Sequence, residues 1–472
     1  TPGRPLLVPE PVAIPPVPMP GGMFAYFGAL RGQSNYANGR GPALYAWAIA
    51  RSYGLHFLAL SEDDGALDQA SWQALGWQAK AATVPGAFVA LRAFEMGPRD
   101  RPHLSIYGTQ SYTTVQDFTA EASTAWLLAH PEALAIFAAP DPGGKGEPDA
   151  FPYDPEIAPQ LAALEVGHGV GEDYRRYEAA YRRALASGWR VAPVGNADDD
   201  RAWGGRSPLR TGLVAAALTE GDLLGALRAR RVFVTEDDNL TVALRAGETW
   251  MGSVISPTTA LVLSASFSDP EAEPLALELW DREVLLARKE FTDQAQGVWQ
   301  IGTVGAAGHH LFLRAVQADG DLAFTAPIWI AGEAAPDIVL LNEVLSSPRD
   351  VDWDGDGEAN ATDEWVELYN PGLLPIALAG WQLSDTSAGP SYTIPPGTVL
   401  PADGFLVLYR RETRLALNTS NETVTLHRPD GSIADAFHYD RFAGWDQSWC
   451  RTEDGAGTWM SECEATPGGP NR

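Results

Sequence analysis

Lysine is almost missing from this 472-residue chain. Lys80, Lys145 and Lys289 are the only ones among 33 basic residues, and 61 acidic side chains leave a formal net charge of -28. No basic stripe offsets that field locally, so binding to nucleic acid or to an anionic membrane surface is not expected. Cysteine is equally scarce. Cys450 and Cys463 stand 13 apart near the C-terminus with no histidine or further thiol beside them, which argues against zinc and for a disulfide. A disulfide in turn favours an oxidising compartment. No apolar run reaches the roughly 18 to 20 residues of a membrane-spanning helix. The G-x-S-x-G elbow, the phosphate-binding P-loop and H-E-x-x-H are all absent. The chain opens on Thr1 without a charged-then-apolar leader, as expected of a mature secreted form or of an expressed fragment.

What is present is ample apolar material, 45% hydrophobic and 10% aromatic, enough for about three domains. Residues 1–22 hold eight prolines interspersed with Leu6, Leu7, Val8, Val12, Ile14 and Val17. They read as an extended arm, serving either as a semi-rigid tether or as an arm that docks on a neighbouring subunit. Residues 23–231 alternate apolar strands with amphipathic helices: "MFAYFGAL", then "ALYAWAIARSYG" closing on Gly54, and later "WRVAPVG" and "EGDLLGALRARR". That cadence predicts parallel βα units, as a barrel or a doubly wound sheet. Residues 232–333 change to period-two alternation, as in "LTVALRAG" and "LALELWD", which predicts a small β-sandwich. Residues 334–472 form a second all-β unit, with "PDGS" as a hairpin turn.

The order of short motifs in residues 23–333 resembles the PHP (polymerase and histidinol phosphatase) superfamily, in its branch where a barrel is followed by a β-sandwich. The resemblance implies a distorted (β/α)7 barrel holding two or three divalent metals on His, Asp and Glu at strand ends. The chain departs from that metal-binding pattern at most positions. The family's opening D-L-H-x-H-S is "ALRGQS", so Ala29 stands for the acid and Arg31 and Gln33 for the histidines. T-D-H becomes "SEDD" with Asp63 in the histidine place, Ala139 replaces the histidine of H-P, and the closing D-x-H is "DDD" with Asp200 last. Glu95 and Asp198 keep the carboxylates, and His103 falls where some members have a histidine. A guanidinium would repel the cations whose ligand it replaces, so no catalytic metal is expected. Glu62, Asp63, Glu95, Asp198, Asp199 and Asp200 then form either an oxygen-only cation site or a solvated acidic mouth pairing with Arg31.

Across residues 336 to about 472, "IVLLNEVL", "DEWVELYNPG", "IALAGWQLSD", "NETVTLHRPDGSIADAFHY" and "TPGGPN" resemble a lamin-tail domain, an immunoglobulin-like module. The likeness implies attachment or structural contacts rather than catalysis. Inserted after its first strand, "DWDGDGEANATD" follows an EF-hand-type calcium loop. Asp352, Asp354, Asp356, Glu358, Asn360 and Asp363 take positions one, three, five, seven, nine and twelve, with Gly357 at six. The flanks alternate as strands, so the expectation is a calcium-stapled β-loop; the alternative is an acidic surface turn. Asn239, Asn418 and Asn421 head glycosylation sequons, and so does Asn360 inside the loop.

Taken together these features predict a secreted or cell-surface structural or interaction protein on a degenerate PHP-like barrel. It would self-associate or bind other extracellular proteins or glycans, as a subunit of an assembly or filament. Two alternatives stand beside it: an extracellular metal-dependent phosphoesterase with an altered carboxylate site, and a sugar- or phosphate-binding module using Arg31, Arg201 and Arg206.

Overall fold

A computed structural model describes residues 14–37, 39–97, 103–113, 120–138, 153–169, 175–196, 209–334, 336–386 and 391–472, with residues 11, 140 and 207 singly. Its contacts divide the chain into two compact units, Thr1–Glu333 and Ala334–Arg472. Among the described residues, no helix is long and apolar enough to cross a membrane.

The first unit begins with strands β1 (Val17–Met19), β2 (Met23–Gly32), β3 (Phe57–Asp63), β4 (Val89–Met96), β5 (His103–Tyr107), β6 (Leu134–Ala138), β7 (Leu161–His168), β8 (Arg175–Arg176), β9 (Ala192–Asn196), β10 (Arg210–Ala215) and β11 (Val232–Thr235). Five helices lie between them: α1 (Ala43–Ser52), α2 (Gln69–Ala82), α3 (Ala120–Ala129), α4 (Glu178–Ala186) and α5 (Glu220–Arg228). Their buried faces follow helical spacing. In α2, Trp72, Leu75 and Ala79 turn inward, and the Asp68 carboxylate caps the first turn by accepting the Ser71 N–H at 2.7 Å. In α1, the Trp47 indole reaches the sheet and donates to the Leu58 carbonyl at 3.1 Å.

The expected (β/α)7 barrel is not what forms. The molecule is mostly β, with thirty-two strands against six α-helices among the described residues, and the first unit is built on a curled half-barrel sheet. Among the described residues of this part of the chain, parallel pairing is confined to β2 with β3, β3 with β4, β6 with β7 and β7 with β9. Strand β5 runs antiparallel to both β4 and β6. The reason is connection length: only residues 97–102 separate β4 from β5, and a parallel crossover needs a dozen or more. At the other side β10 runs antiparallel to both β2 and β11. Strand β9 meets the start of the sheet through side chains, with the Asn196 side-chain oxygen accepting the Leu30 N–H at 2.7 Å and the Thr211 hydroxyl bonding the Gly195 backbone. Among the described residues no backbone ladder joins that edge to β2 or β10.

Residues 232–333 continue the same sheet. They add β12 (Thr241–Ala246), β13 (Thr249–Trp250), β14 (Val254–Ile255), β15 (Thr258–Ser268), β16 (Leu275–Asp281), β17 (Val284–Phe291), β18 (Gln296–Gly305), β19 (His310–Gln317), β20 (Leu322–Thr325) and β21 (Ile328–Ile330). Strand β11 pairs with β20, β20 with β19, and β19 with β16, so the curled sheet extends into the segment read as a sandwich. The second layer is the four-stranded sheet β13-β12-β15-β18. Val242, Leu244, Leu263 and Ala265 from it share one apolar core with Leu277, Leu313 and Phe233.

The described part of the proline arm packs on its own chain. Strand β1 pairs antiparallel with β2, and the Ile14 carbonyl accepts the Nε2–H of buried His56 at 2.9 Å while Nδ1 of that ring accepts the Phe27 N–H at 3.0 Å. Burial depresses the His56 pKa, which suits the neutral ring these two bonds require. Gly54 ends α1 with φ +81°, and a Cβ there would lie 2.4 Å from the Ile14 side chain.

The second unit is an immunoglobulin-like sandwich. Its strands are β22 (Leu340–Leu345), β23 (Trp365–Asn370), β24 (Ile376–Ala377), β25 (Gln382–Ser384), β26 (Tyr392–Thr393), β27 (Val399–Leu400), β28 (Gly404–Tyr409), β29 (Glu422–His427), β30 (Ile433–Tyr439), β31 (Gln447–Glu453) and β32 (Ala456–Glu464), with the short helix α6 (Arg410–Thr413). One sheet is β28-β23-β22-β31-β32 and the facing one β26-β25-β29-β30. Between them Val344, Val366, Trp381, Leu383, Val424 and Leu426 form the core. Cys450 and Cys463 are joined in a disulfide across the β31–β32 hairpin.

Candidate functional site

Parallel pairing carries the C-terminal ends of β2, β3, β4, β7 and β9 to one rim of the first unit. Strand β5 starts at that rim because it runs the other way, His103 lying opposite Ala138 at the end of β6. Arg31 on β2, Glu95 on β4, His103 on β5, Glu165 and His168 on β7 and Asn196 on β9 therefore meet there.

At the centre stands the Arg31 guanidinium, 5% exposed, between two carboxylates that are 2% and 0% exposed. Its Nε donates to Glu95 Oε1 at 2.7 Å, its Nη1 lies 3.7 Å from Glu165 Oε2, and its Nη2 is 3.1 Å from His103 Nε2. A guanidinium has no acceptor, so His103 Nε2 is the accepting nitrogen and the ring proton sits on Nδ1. Gln33 donates an amide hydrogen to Glu95 Oε2 at 3.3 Å, and Asn196 does the same to Glu165 Oε1 at 2.8 Å. His168 Nδ1 lies 3.4 Å from Glu165 Oε2, and the Tyr177 hydroxyl 3.3 Å from its Nε2. Beneath them the Tyr107 hydroxyl donates to the Leu30 carbonyl at 2.5 Å, its pKa pushed up mainly by burial. This is a dry, hydrogen-bonded core in which a tethered cation occupies the space between acids that could otherwise hold a metal.

The acids read as a solvated mouth are differently placed. Glu62 is fully buried and accepts the Ser34 N–H and hydroxyl, the latter at 2.5 Å, which anchors the loop after β2. Asp63 turns away to cap the following turn through the Gly65 N–H at 3.0 Å. Asp198 and Asp200 lie outside the described residues, as do Asp199, Ala139, Arg201 and Arg206. Sequence reasoning passed over Glu165, His168 and Asn196. A carboxylate inside, or a polar residue ending, an otherwise apolar buried strand, as in "LAALEVGH" and "APVGN", was the available signal.

The acidic loop of the second unit joins β22 to β23. Carboxylate oxygens of Asp352, Asp354 and Asp356 lie within 4.8 Å of one another. Asp352 accepts the N–H groups of Gly355, Asp356 and Gly357, and Asp356 that of Glu358. Gly357 has φ +98°, a conformation that glycine adopts freely. Asp363 is buried and holds the loop from inside, accepting the N–H of Asp354 at 2.8 Å and of Asn360 at 2.7 Å. The Asn360 side chain is spent on the Thr362 N–H and hydroxyl. Three of the six residues assigned to a calcium shell thus converge, while Asn360 and Asp363 brace the loop. Of the sequon asparagines, Asn418 and Asn421 are exposed, whereas Asn239 is half-buried with its side-chain oxygen enclosed.

Residues 333–441 match the lamin tail domain family, which accounts for the immunoglobulin-like second unit. No curated protein matches the chain. Among solved structures, a two-domain protein from Bacteroides vulgatus, described as containing a predicted PHP-like metal-dependent phosphoesterase, is similar over 68% of this chain and 99% of its own at 13% identity and a TM-score of 0.42.

Proposed function

We propose that this protein is a secreted or cell-surface structural or interaction protein whose first unit has lost metal-dependent hydrolysis. One observation carries the reading: Arg31, buried and bonded to Glu95 and His103 with Glu165 beside it, puts a permanent positive charge among the rim's ligand-type residues. A divalent ion there would meet repulsion from the guanidinium and lose the two carboxylates already engaged. The motif departures at Ala29, Gln33 and Asp63 point the same way. The lamin tail domain supports an attachment role, and the disulfide supports an oxidising compartment. Self-association, or binding to other extracellular proteins or glycans, would then fall to the surfaces of the β-units. Any arm exchange between subunits would use residues 1–13, since the chain from Ile14 to Met19 is engaged at home.

The test is elemental analysis of the full chain after equilibration with zinc, manganese and iron, together with turnover of a chromogenic phosphodiester. The expected result is no stoichiometric transition metal and no turnover. Turnover that disappears in Glu95→Gln would overturn the proposal. The double variant Arg31→His/Gln33→His should gain affinity for a divalent transition metal, because two imidazoles would join Glu95, His103 and Glu165. Light scattering of the full chain against one lacking residues 1–13 decides the arm: an unchanged mass excludes arm exchange.

A further inference from the structure

We infer that the loop between β22 and β23 is a calcium site, with Asp352, Asp354 and Asp356 as its carboxylate ligands. Proximity of acids alone would not establish this. The independent observation is Asp354: its side chain is fully buried, and its Oδ2 has no hydrogen-bond partner among the described residues. Its Oδ1 is engaged, accepting the Asp356 N–H at 3.0 Å, and Arg411, 42% exposed, lies 3.5 Å from that same oxygen, so Oδ2 alone is left for a ligand among the described residues. A buried carboxylate oxygen without a donor is a standing cost in a folded protein, and a cation shared with the two neighbouring acids removes it.

The chemistry of the donors selects the ion. All three are hard oxygen ligands, and among the described residues no imidazole or thiolate joins them, which disfavours zinc and other borderline metals. Their loop is irregular and turns at Gly355 (φ +72°) and Gly357 (φ +98°), an asymmetric frame suited to the variable shell of calcium more than to the strict octahedron of magnesium. Asp363 and Asn360, which the spacing also nominated as ligands, preorganise this frame instead. Water would complete the shell on the exposed side, where Asp352 and Asp356 face solvent.

The experiment uses full-length protein stripped with chelator and titrated with calcium chloride by calorimetry. In parallel, terbium emission is excited through tryptophan, Trp353 lying inside the loop. One saturable site per chain is expected, with terbium displaced by calcium. Affinity should fall at least about tenfold in Asp356→Asn, an exposed position whose substitution leaves the core untouched. Absence of saturable heat and of terbium emission up to about 10 mM, beyond the weak end of extracellular calcium modules, would overturn the assignment. So would equal affinity for magnesium, or binding undiminished in both Asp352→Asn and Asp356→Asn. Failure here leaves the reading of the Arg31 cluster unaffected, since the two sites share no residue.

Discussion

Replacing Arg31 by methionine tests the charge balance of the first unit directly. The substitution keeps a long unbranched side chain and removes the guanidinium that, among the described residues, lies between Glu95 and Glu165, both almost wholly excluded from water. Removing one partner of a buried ion pair strands the other, at about 3–5 kcal/mol. For a unit this large each kcal/mol lowers the melting temperature by about 2–4 °C, so a fall on the order of 10 °C is expected. Differential scanning calorimetry of the full chain separates it from the lamin tail unit, whose transition should stay in place. Adding Glu95→Gln and Glu165→Gln to Arg31→Met should restore most of the loss, since neutral groups of like shape need no counter-charge. A single-variant effect below about 1 kcal/mol, the scale of exposed pairs, at every pH would refute the claim that Arg31 is the electrostatic centre of this core.

Three further outcomes follow from other parts of the molecule. Gly54→Ala places a side chain at φ +81° and against Ile14, so it should destabilise the first unit by at least about 1–2 kcal/mol and speed proteolysis of the N-terminal arm. Burial pushes the Glu367 pKa up to about 8 and that of Glu364 to about 7. Both lie above the ordinary glutamate value of 4.5, so the folded second unit holds the extra protons and its stability should decline as pH rises towards 8. Thermal melts from pH 5 to 9 measure the slope, and Glu367→Gln should flatten it. Reducing the Cys450–Cys463 bridge frees a loop of sequence separation 13, which should cost the lamin tail unit about 3 kcal/mol in denaturant titrations with and without reductant.

Local signals in the sequence were sound where the chain's own short-range chemistry sets structure. Gly54 after an amphipathic run does close α1, and "PDGS" does turn β29 into β30, with Gly431 at φ +83°. The lamin tail pattern was legible because alternation along each strand reports a sandwich face directly. The global topology of the first unit was not. Alternating strands and helices suggest parallel units, yet the six residues between Met96 and His103 force an antiparallel strand, and nothing in local periodicity records which edge β9 or β10 will meet. The candidate site was half visible. Arg31, Gln33, Glu95 and His103 were flagged by position in a motif, whereas Glu165 and Asn196 become partners only after the sheet curls and brings their side chains round to the end of β2.

The composition of that rim supports a protein adjusted to its tethered cation. A guanidinium carries one positive charge, where a pair of divalent metals would carry about four. Acids suited to metals would therefore leave a large uncompensated charge in a dry core. Among the described residues around Arg31, the amides of Gln33 and Asn196 donate to Glu95 and Glu165, and His103 accepts from the guanidinium. Hydrogen bonds from amides spread the remaining negative charge without adding an ion that must itself be paired. Building a transition-metal site around Glu95, His103 and Glu165 would thus need imidazoles at positions 31 and 33 together. Arg31→His alone would leave an amide at Gln33 with no lone pair suited to a transition metal, and single and double variants should separate clearly in a zinc titration.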